Sequence, residues 1–172
     1  NFSNVDEVGK VFKFFDDELV IYTAENQENW LNYSLYQMNT SEKIKRAVLT
    51  LLDELGTGIK DISVEIDEAD QLPPFLSDDF KRRILEGKLE SISSKVIYDK
   101  FETDLISEES TGIKKLFGML CPILDIIVKG KVLICDELES GLHESLVYAL
   151  VKLFVDFDTD EFPQLVFTTH ET

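Results

Sequence analysis

Residues 131–143 read KVLICDELESGLH, and the fold turns on how they are interpreted. Val132, Leu133, Ile134 and Cys135 form an apolar, β-prone run with no polar alternation. Such a run is expected as a strand buried on both faces of a parallel sheet. Asp136 and Glu137 follow at once. Two adjacent carboxylates are costly at the exit of a buried strand, and catalysis or cation binding is the usual reason for them. The plainer alternative is a strand-to-helix turn in which they serve as cap and first-turn charges.

The flanking segments carry more pattern. Upstream, Ser107-Glu108-Glu109-Ser110-Thr111-Gly112 leads into a periodic helix whose apolar face holds Ile113, Leu116, Phe117, Leu120, Ile123, Leu124 and Ile127. Downstream, a helix is expected over about 142–155, with Leu142, Leu146, Val147, Leu150, Val151 and Phe154 inward. After an acidic loop, Gln164 to Thr168 reads as a second buried strand, ending at Thr169-His170.

The first part of the chain shows elements without visible chemistry. A short helix around Val8–Phe15 precedes a strand at Leu19–Tyr22. Trp30, Tyr33 and Tyr36 fall on one helical stripe, expected as packing. Ser41–Leu55 reads as an amphipathic helix capped by Thr40 or Ser41 and ended by Gly56 or Gly58. Ile62, Val64 and Ile66 alternate as a half-exposed strand, residues 67–79 as a solvated acidic loop, 78–90 as a charged helix and Lys95–Phe101 as another strand.

The chain has 172 residues, 44% of them hydrophobic and 30% charged, with a formal net charge of -17. That composition describes a globular domain rather than a disordered one. Its charge repels phosphate backbones, so nucleic acid is expected to bind only through other regions. No apolar run reaches the roughly 20 residues needed to cross a bilayer. Cys121 and Cys135 lie in apolar surroundings with no metal-like spacing, which points to a reducing cytoplasm.

Taken in order, a Ser-x-Gly helix start, a strand ending in Asp-Glu, a Ser-Gly-Leu-His turn and a strand ending in His resemble the nucleotide-binding domain of ABC-type ATPases. The likeness is to the soluble branch, with its chromosome-maintenance, DNA-repair, abortive-infection and overcoming-lysogenization ATPases of the AAA type. It is clearest from Glu108 to Thr172 and weaker over 41–67. It implies an α/β fold: part of a P-loop NTPase, with the parallel-sheet half over 107–172 and a helical lobe with a strand-containing insertion over 1–106.

The resemblance also implies roles. Glu109 to Ile113 matches the signature motif, where Ser110, Thr111 and Gly112 would present a hydroxyl and backbone N–H groups to the γ-phosphate of ATP held by the opposite protomer. Thr111 and Ile113 depart from the usual Gly and Gln. Asp136 matches the Walker B ligand of Mg²⁺, Glu137 the base that orients water, and His170 the switch histidine. Glu139 to His143 matches the D-loop, with Ser140 and Gly141 at the dimer interface and His143 a surface or interface residue. The function implied is ATP binding and hydrolysis by a homodimer or higher oligomer in bacterial defence or DNA transactions, with a nuclease or toxin as effector.

No G-x-x-x-x-G-K-[ST] phosphate loop occurs in the chain. It is expected in sequence upstream of Asn1, and this stretch alone is not expected to hydrolyse ATP. A catalytically inactive scaffold that binds a basic partner or toxin is the alternative. A metal-dependent nuclease using Asp136, Glu137 and His170 fits less well, because it leaves the serine-capped helix unexplained.

Overall fold

A computed structural model describes residues 3–66, 92–158 and 160–170. Helix α1 (Ser3–Lys13) passes through one wide turn into strand β1 (Leu19–Tyr22). Helices α2 (Gln27–Thr40) and α3 (Glu42–Glu54) follow, then strands β2 (Ile59–Ile66), β3 (Ile92–Tyr98) and β4 (Glu102–Asp104). The chain continues through α4 (Thr111–Val128), β5 (Val132–Cys135), α5 (Glu144–Asp156) and β6 (Gln164–Phe167).

The strands form two three-stranded sheets, β1-β5-β6 and β2-β3-β4. The first is parallel throughout and in register, so that Tyr22 pairs with Cys135 and Cys135 with Phe167. All three strands therefore deliver their following residues to the same end of the sheet. That shared exit places Asp136 and His170 together although they are far apart in sequence. The second sheet is antiparallel.

The core lies where α4 packs on α2. Leu116, Phe117, Met119, Leu120, Ile123 and Ile127 of α4 are fully buried, as is Leu35 of α2. Each such side chain contributes about 1.5–3 kcal/mol. Pro122 sits inside α4 and has no N–H to give the carbonyl of Gly118. Ser34 of α2 fills that gap, its hydroxyl donating to Gly118 O at 2.8 Å. The same Gly118 lets the backbone of Leu31 approach, since a Cβ there would lie 3.2 Å from Leu31 N.

Several sequence expectations hold. Trp30, Tyr33 and Tyr36 are buried packing residues, and Tyr22 meets Trp30 edge-on at 4.8 Å. Ser41 caps α3 through Ile44 N, and Gly56 follows its last turn. Others change. Strand β3 begins earlier and ends at Tyr98, and the chain then turns into β4, whose polar Glu102-Thr103-Asp104 gave no strand signal. The periodic helix is buried on nearly every side rather than on one face.

The two core strands are also less covered than expected. In β5 only Leu133 and Cys135 are buried, and Val132 and Ile134 are half-exposed. Strand β6, one edge of this sheet, is largely exposed. Ile21 and Val166 continue the half-open face. The acidic loop and charged helix expected over 67–90 lie outside the described residues.

Cys121 and Cys135 are free and buried. Burial pushes the Cys121 thiol up to about 12 and the Cys135 thiol up to about 11, leaving little thiolate at neutral pH. Iodoacetamide at pH 8 is therefore expected to label neither in the folded protein and both after unfolding, read by mass. Rapid native labelling would contradict this packing.

Candidate functional site

The acid turn starts where β5 stops. Asp136 N donates to Tyr22 O, so the turn is tied to β1 as well. Glu137 adopts φ 48, the left-handed region, and is the one non-glycine residue to do so among those described. That conformation costs about 1–2 kcal/mol for an L-residue and persists only when its surroundings impose it.

Two groups from the end of β6 hold this turn. Thr168 Oγ1 donates to Asp136 Oδ1 at 2.6 Å and accepts from Glu137 N at 2.8 Å. His170 Nε2 lies 3.3 Å from Glu137 Oε1, with both side chains open to solvent. His170 N donates to Glu139 Oε1 at 2.7 Å, and chiefly that bond holds the Glu139 carboxyl below the usual carboxylate range.

The start of α4 abuts the same turn from the other side. Ser110 caps the helix, its hydroxyl accepting from Ile113 N at 3.3 Å. Gly112 lies so close to the turn that a Cβ on it would meet Gly141 O at 2.4 Å. Gly141 is itself left-handed, at φ 75, and leans on Thr111. A helix N-terminus with a serine cap presents N–H groups and a positive dipole end, which suits an anion.

The residues singled out from sequence thus gather into two adjoining groups at one end of the sheet. Ser110, Thr111, Gly112, Ser140 and Gly141 form one; Asp136, Glu137 and His170 form the other. His143 stands apart as the cap of α5, its Nδ1 accepting from Ser145 N at 3.3 Å. Sequence reasoning missed Thr168, whose hydroxyl lies between the two acids. It also missed Lys115, which is 3% exposed. Its neighbour Lys114 hides it, since a lysine pair at the start of a helix reads as solvated.

The oxygens of Asp136 and Glu137 are hard donors on exposed side chains, the kind Mg²⁺ takes. Among the described residues no three His, Cys, Asp or Glu side chains converge on a point. Among the described residues no helix is long and apolar enough to cross a membrane.

A family model described as "AAA domain, putative AbiEii toxin, Type IV TA system" matches residues 7–172. No curated protein and no solved structure matches the chain.

Proposed function

The chain belongs to that AAA-domain family, and from this premise we propose that it carries the acid and signature elements of an ABC-type ATPase that works as a dimer. The observation that carries the reading is the pairing of His170 Nε2 with Glu137 Oε1 at 3.3 Å, beside an Asp136 held by Thr168. Two acids after one strand and a histidine after its neighbour, set side by side, are groups that phosphoryl transfer to water can use for positioning and charge.

Bound ATP and Mg²⁺ would supply the phosphoryl group and the charge that neutralises it. Asp136 would hold the cation, its carboxylate oriented by the bond that Oδ1 accepts from Thr168. Glu137 would orient a water molecule and take its proton. His170 would steady that carboxylate and face the terminal phosphate. Ser110, Thr111 and Gly112 would offer the helix N-terminus to a phosphate held by a second subunit, with Ser140 and Gly141 at the seam. Bacterial defence, with a toxin or nuclease as effector, is the setting we infer from the family description.

The test uses the complete protein. Phosphate release should require Mg²⁺ and stop with EDTA, and light scattering should show mass doubling with ATP. His170→Ala should lower kcat by about 100-fold, the lower end of the range for a group assisting proton transfer. No Mg²⁺-dependent phosphate release from the wild type would sink the reading.

A further inference from the structure

Lys115 is buried in the second turn of α4, yet among the described residues no carboxylate is hydrogen-bonded to it. Its Nζ donates instead to three backbone carbonyls: Glu137 O at 3.1 Å, Leu138 O at 2.9 Å and Ser140 O at 3.0 Å. An ammonium has three hydrogens, and here each has an acceptor. The ring of Tyr22 lies 5.6 Å from the same nitrogen, close enough for a further attraction. Burial lowers the lysine's pKa, and the nearby carboxylates of Glu139 and Glu137 are among the groups that oppose that shift.

The bonds fall on the part of the chain whose shape is least favourable by itself. Glu137 is left-handed, and its two peptide groups are clamped from opposite sides: Thr168 Oγ1 takes its N–H, and Lys115 takes its carbonyl. Lys115 also lies one and a half helical turns from Ser110, on the helix whose start touches Gly141 through Gly112. One side chain therefore sets the separation between the helix start and the acids.

We propose that Lys115 is a positioning residue: it locks the acid turn, residues 137–140, in register with the serine-capped start of α4, so that both present a fixed geometry to the nucleotide. The proposal rests on the ATPase reading for its catalytic consequence, but the hold on the turn does not. A solvated lysine cannot do this work, since its ammonium would trade carbonyls for water. A hydrophobic residue of equal length takes the donor from Leu138 O and Ser140 O and leaves Glu137 O only its bond from Ser140 N, so the turn loses what ties it to the helix.

The test is Lys115→Met in the complete protein, with two readouts. Without nucleotide, amide exchange reports the bonds that close the turn: Leu138 N to Thr168 O, Ser140 N to Glu137 O and Leu142 N to Glu139 O. These amides should exchange at least about 10-fold faster, while those of the interior of α4 keep their protection. With nucleotide, kcat should fall about 100-fold, the loss expected of a misplaced catalytic group. The ATP dissociation constant should stay unchanged.

A general loss of structure would instead move melting and binding together. If Lys115→Met does not fold, Lys115→Gln decides. It keeps two N–H donors on a shorter stem, and should loosen the turn and lower kcat partway. Wild-type protection of the three amides in the folded variant overturns the proposal, whatever happens to kcat. A loosened turn in a protein that hydrolyses no ATP in any form retires the ATPase reading and leaves the lysine's hold on the turn standing.

Discussion

Replacing Glu137 with glutamine in the complete protein is expected to leave ATP binding intact and to lower turnover by about 10²–10⁴-fold, the usual weight of a general base. The change is close to isosteric. The amide oxygen can still accept from His170 Nε2, and Thr168 still accepts from the residue's backbone N–H. The left-handed backbone at φ 48 and the carbonyl bond to Lys115 are untouched. Only the negative charge and its capacity for a proton are lost, so a fall in kcat at constant affinity reports the chemical step rather than the fold. Steady-state phosphate release beside a nucleotide-binding titration makes the measurement. A turnover equal to wild type would remove Glu137 from the role.

Gly112→Ala is the structural counterpart and is expected to cost about 1–3 kcal/mol or more, the range for forcing an extra methyl into a filled space. The new Cβ would stand 2.4 Å from Gly141 O. Neither side can yield cheaply, because both contacts are backbone. Gly141 is pinned by its left-handed φ and by the bonds of its neighbours, Ser140 O to Lys115 and Leu142 N to Glu139 O. Gly9→Ala is the control: it lies in α1 with nothing within 4 Å of the added methyl, and alanine is the better helix former. Denaturant midpoints should drop for Gly112→Ala and hold or rise for Gly9→Ala. Equal midpoints for Gly112→Ala and wild type would mean that the helix start and the acid turn are not in contact.

Much of this arrangement was legible because it rests on strong local patterns. The apolar residues of α4 recur at helical spacing, and Val132 to Cys135 could only be a core strand. The acids and His170 announced themselves by type and by their place after strands. What escaped depended on partners distant in the chain. Lys115 follows Lys114, and such a pair reads as solvated until the carbonyls of 137–140 are brought over it. The left-handed Glu137 carries no glycine to betray it. The exposure of β6 is set by what packs on its faces, which its own four residues do not encode. Strand β4 is polar and exists because β3 offers it a ladder.

The residue just before the cap of α4 ties the start of that helix to the antiparallel sheet. Glu109 Oε1 accepts from the hydroxyls of Tyr98 and Thr103, at the turn-proximal end of the β3–β4 hairpin. Burial and this carboxylate push the Tyr98 phenol up to about 12, so it stays protonated and keeps donating across the physiological range. The hairpin thus acts as an outrigger for Ser110. A tilt of the small sheet would be passed to the helix tip, one peptide unit away, through this one carboxylate.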